Sequence, residues 1–406
     1  MVSKRGRRIG IAGAVAGVGA AGIGAAVGLR RLAVGRVRLR PDPDADEPFG
    51  QLRGNALTVL ADDGVPLHVE IDEPDDAPLT ALGTKPGGSG GSGGPPPGDR
   101  LTIVFSHGYA LNQDTWHFQR RDLRYSLDST VPGGGDGARG RRQAGRGRPR
   151  LVFWDQRSHG RSGRSKPTHA TIEQTGEDLY AVLRATVRPG GEVVLVGHSM
   201  GGMSIMALAD RHPEVFEAGR DGPRVVGVAL VNTSCGNLTE MTLGLPMVLA
   251  KVLRPLAPGT LRGLGRRADL VDRARALGAD LAFIVTRRMA FADRRVSPTV
   301  VDFLEQMIRA TPIDVIAEFY PALIAHDKLD ALETLGRVPV LVVSGGEDRL
   351  TPPEHGRNIA EALPDAEYVE VGDAGHVLPL EYPGVVTGGL RRLVDRIRAG
   401  REERSA

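Results

Sequence analysis

The sequence predicts an α/β fold: a mostly parallel central sheet flanked by helices, with a helical lid inserted late in the chain. Three observations carry that expectation. Apolar runs of strand length recur at Leu101–Phe105, Leu151–Trp154, Val193–Val196, Val225–Val231, Val338–Val343 and Tyr368–Val371. Most are continuous aliphatic runs, which is how strands covered on both faces read, because every side chain meets a helix layer. Amphipathic helical patterns separate several of them, as parallel strands require, since each crossover must return to the same end of the sheet.

The elements follow in order. Ala56–Ala61 and Pro66–Ile71 are two short strand runs around Asp62-Asp63-Gly64, a turn signal that predicts a hairpin. Thr171 and Gln174 read as a capping box, opening a helix whose apolar face is Ile172, Leu179, Val182, Leu183 and Thr186. Residues 385–398 give a closing helix with Val386, Leu390, Leu393 and Ile397 on one side. The core is therefore expected at 55–235 and 336–400. Residues 236–335 contain helical stretches and no clear strand, so they are expected as the lid. Gly/Ser/Pro-rich 83–99 and arginine-rich 128–150 read as flexible inserts.

Charge has to be mapped before it informs. The 406 residues carry 52 basic and 49 acidic side chains, a net of +3. Nine basic groups and no acid lie within residues 1–40, and six arginines with no acid within 137–150. Elsewhere 37 basic groups face 49 acidic ones, and so acidic a body is a poor nucleic-acid binder. The single cysteine, Cys235, excludes an intramolecular disulfide and a cysteine-based zinc site. Residues 9–29 carry no charge and consist of seven Gly, seven Ala and seven Ile, Val or Leu. As a helix they would reach about 30 Å, enough to cross a bilayer. A single membrane anchor, a segment directing export through the Arg7-Arg8 pair, and a Gly/Ala tail are the alternatives. Membrane association through 9–29, or export, is the expected localisation.

The chemistry-bearing signal is Gly197-His198-Ser199-Met200-Gly201, placed between the strand run 193–196 and a helical run from Gly202 to Asp210. A strand turning that sharply into a helix presents the serine hydroxyl on a strained tip, and side chains at either glycine would meet neighbouring backbone. A serine hydroxyl is a weak nucleophile and needs a base oriented by an acid. Asp348, after the run ending at Val343, and His376, in Gly372-Asp-Ala-Gly-His376 after the run ending at Val371, are the candidates. Glu347 and Asp373 are rival acids. His212 and His355 lack the glycine-rich setting and are expected as surface groups. The backbone N–H groups of Tyr109, after Ser106-His107-Gly108, and of Met200 are the candidate oxyanion donors, with His107 structural.

These motifs together resemble the α/β-hydrolase fold superfamily in its capped, lipase/esterase-like branch, over about residues 55–400. The matching residues are His107-Gly108 with Trp116 downstream, Asp155-Gln-Arg-Ser-His-Gly-Arg-Ser162, Gly197–Gly202, Gly345-x-x-Asp348, and Gly375-His376 with Glu381 and Pro383 following. The order Ser199, Asp348, His376 along the chain is that superfamily's order. The resemblance implies structural roles for Asp155, Arg157, Gly160 and Ser162, and a serine rather than an aspartate nucleophile, so neither epoxide opening nor dehalogenation. It implies hydrolysis of a carboxylic ester or related acyl compound through a covalent acyl-enzyme. An apolar pocket beside a membrane anchor would suit a small, lipophilic acyl substrate. An acyltransferase, thioesterase, cofactor-free peroxidase or C–C hydrolase would share the fold, and the non-enzymatic alternative is a membrane-tethered binding protein. No H-E-x-x-H helix, dinucleotide fingerprint or Walker loop occurs, so no metal or nucleotide cofactor is expected. Apolar lid residues such as Met289, Phe303, Met307, Ile308 and Phe319 are expected mostly to pack within the lid, a few lining the acyl pocket.

Overall fold

The structure, a computed structural model, describes residues 42–74, 101–125, 148–217, 222–238, 286–293 and 295–405. The strands are β1 (Asn55–Leu60), β2 (Pro66–Asp72), β3 (Thr102–Ser106), β4 (Arg150–Trp154), β5 (Glu192–His198), β6 (Arg224–Val231), β7 (Val340–Gly345) and β8 (Glu367–Val371). They form one sheet in the order β1-β2-β4-β3-β5-β6-β7-β8. β1 and β2 pair antiparallel as the expected hairpin, and β2 pairs antiparallel with β4. From β4 to β8 every pairing is parallel.

The helices are α1 (His117–Tyr125), α2 (Ile172–Thr186), α3 (Met200–Arg211), α4 (Pro298–Ala310), α5 (Ile313–Ile324), α6 (Ala331–Leu335), α7 (Pro353–Ala362), α8 (Leu378–Glu381) and α9 (Pro383–Ser405). The period-two geometry of β5 explains the unbroken aliphatic run that marks it. Val193 and Leu195 enter one core with Leu179, Val182 and Ile205 from α2 and α3. Val194 and Val196 enter the other with Leu390, Leu393 and Ile397 from α9. Each such side chain contributes about 1.5–3 kcal/mol on burial, so neither face of the central strands can be given up to water.

One cap and two boundaries differ from the sequence reading. Thr171 does cap α2, accepting from Gln174 N, but the Gln174 side chain donates to Asp62 at 2.8 Å and does not reach back, so only half of the capping box forms. Arg150, assigned to the basic insert, begins β4 and donates to Glu73 at 2.7 Å. α6, assigned to the lid, packs Ala331, Leu332 and Leu335 into the core under β6 and β7. A short amphipathic turn carries no signal that tells a lid from a core layer.

Described residues from 286 to 335 are helical or irregular, with no strand among them. Residues 239–285 of the expected lid, the apolar segment 9–29, the insert 83–99 and most of 128–150 lie outside the described residues. Among the described residues, no helix is long and apolar enough to cross a membrane.

Candidate active site

The site lies at the C-terminal ends of the parallel strands. β5 runs into Ser199, and α3 starts at the next residue. Ser199 has φ +52° and ψ −118°, a conformation that a non-glycine residue keeps only when its surroundings enforce it. Those surroundings are explicit. The Ser199 N–H donates to Val231 O at 3.0 Å, and its carbonyl accepts from Gly202 N at 2.9 Å and Thr233 Oγ1 at 2.7 Å. A Cβ on Gly197 would lie 2.5 Å from Gly202 N, and one on Gly201 2.2 Å from Ser106 O. The two glycines therefore permit the bend, as their spacing predicted.

Asp348 and His376 meet. Nδ1–H of His376 donates to Asp348 Oδ2 at 2.8 Å, which leaves Nε2 as the lone-pair nitrogen. The carboxylate is otherwise saturated: Oδ1 accepts from Leu350 N at 2.7 Å and Thr351 N at 2.9 Å, and Oδ2 from Thr351 Oγ1 at 2.8 Å. Asp348 is buried, whereas the rivals Glu347 and Asp373 are exposed. Ser199 and His376 line one cavity. Among the described residues no hydrogen bond joins the Ser199 hydroxyl to His376; in ligand-free sites such bonds are often long and tighten only with substrate.

Gly108 packs against the nucleophile side: a Cβ there would lie 3.2 Å from Ser199 Cβ and 2.7 Å from His198 Nδ1. Tyr109 follows Gly108 and Met200 follows Ser199, so both residues adjoin this contact and line or border the cavity, and among the described residues neither N–H has a backbone acceptor. Met200 N also sits at the first turn of α3, where unpaired N–H groups and the helix dipole favour negative charge.

His107 is structural, as expected. It is buried, donates from Nδ1 to Gly108 O at 2.8 Å and accepts at Nε2 from Gln156 N at 2.9 Å. Asp155 accepts from Gln113 N and Arg161 N, both at 2.8 Å, while Gly160 at φ +54° leaves room for its carboxylate. Ser162 holds the Asp155 carbonyl, and Arg157 is buried between Asp178 and Asp63. These four brace the loop and do not line the cavity. The two histidines expected at the surface are less peripheral than that. His355 is half-buried against Ser234 Oγ at 2.8 Å, and His212 stacks on Tyr180 with ring centroids 3.9 Å apart.

Sequence reasoning missed the residues that hold His376. Asn232, in the left-handed region at φ +44°, donates from Nδ2 to Gly375 O at 2.7 Å and His376 O at 2.8 Å, and accepts from Gly345 N at 3.0 Å. It thereby ties the β6, β7 and β8 loops together. His198 donates from Nε2 to the same His376 carbonyl at 2.9 Å. Glu381 accepts from Gly375 N, Ala292 N and Asp293 N at 2.6–2.7 Å, joining the histidine loop to the segment before α4. The only available signal was the asparagine directly after β6, a residue type that tolerates positive φ.

The cavity is about 210 Å³ and is lined mainly by apolar groups, among them Leu111, Met203, Leu238, Met289, Leu304, Ile308, Ile316 and Leu323. Met289 and Ile308 are thus the few expected lining groups. Phe303 and Met307 pack instead with Phe118 and Phe291, and Phe319 is buried beside Met203. Among the described residues no group of three or more His, Cys, Asp or Glu side chains gathers as metal ligands would.

Four buried imidazoles make stability acid-sensitive. Burial lowers His107 and His198 from 6.5 to about 3, and His159 and His326 to about 4. As pH falls below 6.5 the unfolded chain takes up protons on these rings that the folded chain refuses, so stability is lost on going down towards pH 3. Asp155 and Asp178, raised to about 6 by burial, oppose this but are fewer. Calorimetric Tm is expected to fall steadily from pH 7 to pH 4; a Tm that is flat or rises over that range contradicts the neutral-histidine core.

The family model described as the alpha/beta hydrolase family matches residues 103–387, most of the chain. The chain belongs to the alpha/beta hydrolase family. Among curated relatives, this hydrolase is 38% identical over 61 residues to a provisionally named non-heme bromoperoxidase, BpoC, of Mycobacterium tuberculosis; that match covers 15% of this chain and only 23% of the relative. It is 24% identical over 302 residues to a provisionally named carbamate hydrolase, RutD, of Caulobacter sp., covering 71% of this chain and 89% of the relative. The fold is shared with the enol-lactonase of Burkholderia xenovorans LB400, at TM-score 0.56 and 23% identity, covering 84% of this hydrolase and 100% of that chain. It is shared also with the esterase EaEST of Exiguobacterium antarcticum, at TM-score 0.55 and 17% identity, covering 84% and 98%.

Proposed function

We propose that this hydrolase cleaves uncharged, lipophilic carboxylic esters through a Ser199–His376–Asp348 triad and a covalent acyl-enzyme. The observation that carries the reading is the Asp348-bonded His376 lining the same apolar cavity as Ser199. His376 Nε2 takes the hydroxyl proton as Ser199 Oγ attacks the carbonyl carbon, and Asp348 holds the ring in the tautomer that makes Nε2 the base. The negative oxygen of the tetrahedral intermediate is held by the N–H groups of Tyr109 and Met200. Collapse expels the alcohol with the proton from His376. Water, deprotonated by the same ring, then attacks the acyl carbon, releasing the acid and restoring Ser199.

The lining supports the substrate class. Among the described residues the cavity wall has no Asp, Glu, Lys or Arg side chain, so a charged acyl group would lose its hydration there without a partner. The test is a panel of p-nitrophenyl esters of graded acyl length, with an acidic succinyl analogue, a γ-lactone, a thioester, and peroxide with bromide. Turnover of the neutral esters above the succinyl ester is expected. Preference for the acidic ester overturns the substrate class, and turnover confined to peroxide and bromide overturns ester hydrolysis.

A further inference from the structure

We propose that Thr311 is a positioning residue that sets the direction of the Tyr109 oxyanion donor; this rests on the serine-hydrolase reading above. Thr311 follows α4 at the junction with α5 and is buried. Its Oγ1 donates to Ala110 O at 3.1 Å. The Ala110 carbonyl belongs to the same planar peptide as Leu111 N–H, which donates to Gly108 O at 3.2 Å. The Gly108 carbonyl in turn belongs to the peptide whose N–H is that of Tyr109. In a trans peptide C=O and N–H point in opposite directions, so holding Gly108 O on one side aims Tyr109 N–H to the other. A hydroxyl in the helical segment thus reaches the donor through two peptide planes.

The loop needs such a hold. Ala110 sits at φ +60°, a left-handed conformation that an alanine keeps only where contacts enforce it. The inner plane has its own anchor in His107 Nδ1, at 2.8 Å from Gly108 O, but the Ala110 carbonyl rests on Thr311. A second tie runs between the same elements, from the Tyr109 hydroxyl to the Ile316 carbonyl of α5. Both place the helices that line the acyl cavity in command of the loop that carries the oxyanion donor. A packing role alone would make no distinction between substrate binding and the transition state, whereas an oriented donor matters only once the oxygen is negative.

The full chain with Thr311→Val, which keeps shape and removes the hydroxyl, and Thr311→Ser, which keeps the hydroxyl, tests this. Competent sites are counted by end-point titration with a fluorophosphonate, so kcat is expressed per folded site. Thr311→Val is expected to lower kcat on p-nitrophenyl butyrate about tenfold with KM within about twofold, and to weaken a trifluoromethyl ketone inhibitor by a similar factor. Thr311→Ser is expected to restore most of both. Unchanged kcat in Thr311→Val, or an equal loss in Thr311→Ser, overturns the inference. If Thr311→Val gives no folded sites, Thr311→Ala is measured for the same pair of readouts, and full kcat there overturns it too. A wild-type chain that neither titrates nor hydrolyses esters removes the serine-hydrolase reading itself, which is a different result from an active wild type with an indifferent variant.

Discussion

Replacing Ser199 with alanine is expected to lower kcat for p-nitrophenyl ester hydrolysis by about a millionfold, the scale on which serine hydrolases lose activity when the nucleophile goes. The fold should survive. The strained backbone at residue 199 is held by its own N–H and carbonyl, through Val231, Gly202 and Thr233, and the side chain takes no part in those bonds. Far-UV circular dichroism and Tm should therefore match the wild type while stopped assays show only the background rate. A variant that keeps a tenth or more of the rate would move the nucleophile elsewhere.

The second large effect concerns the acid. Asp348→Asn is expected to lower kcat about ten-thousandfold, because an amide that donates its N–H to Nδ1 favours the tautomer in which Nε2 carries the proton and cannot act as base. Leu350 N and Thr351 N both aim donors at Oδ1, so the asparagine oxygen is kept there and its NH₂ takes the Oδ2 position that faces His376. Glu347→Gln and Asp373→Asn, both at exposed positions, should leave kcat near the wild-type value. A large loss in either of those, with Asp348→Asn active, would reassign the acid.

The sheet was legible because its central strands are buried on both faces. Runs such as Leu151–Trp154 and Val193–Val196 are apolar at every position, and eight of eight strand runs fall where β1 to β8 lie, within two residues at each end. The bend at Ser199 was legible for a steric reason: only glycine fits where Cβ atoms would strike Ser106 O and Gly202 N. Asp348 was legible by motif position, and its rivals Glu347 and Asp373 could be set aside only by burial and by the bond to His376. The supports were not legible. Asn232 acts across 143 positions on Gly375 and Thr311 across 201 positions on Ala110, and no local pattern encodes a contact at that separation. His355 was misjudged for the same reason, since its partner Ser234 is 121 positions away.

These supports also give the account its physical centre. His376 is held by Asp348 at the ring and by His198 and Asn232 at its carbonyl, and Ser199 is held through its backbone, so the scaffold around both residues is fixed and only the bond from the Ser199 hydroxyl to His376 is left to form. Preorganisation of this kind is what a binding protein with an idle serine would have no reason to keep.

The most direct measurement is the intact mass of the full chain after incubation with a fluorophosphonate, followed by peptide mapping of the adduct. A single phosphonyl group on Ser199, absent from Ser199→Ala and formed far more slowly in His376→Ala, is the predicted result. A wild-type chain that stays unmodified, or an adduct carried equally by Ser199→Ala, contradicts an activated serine at the end of β5.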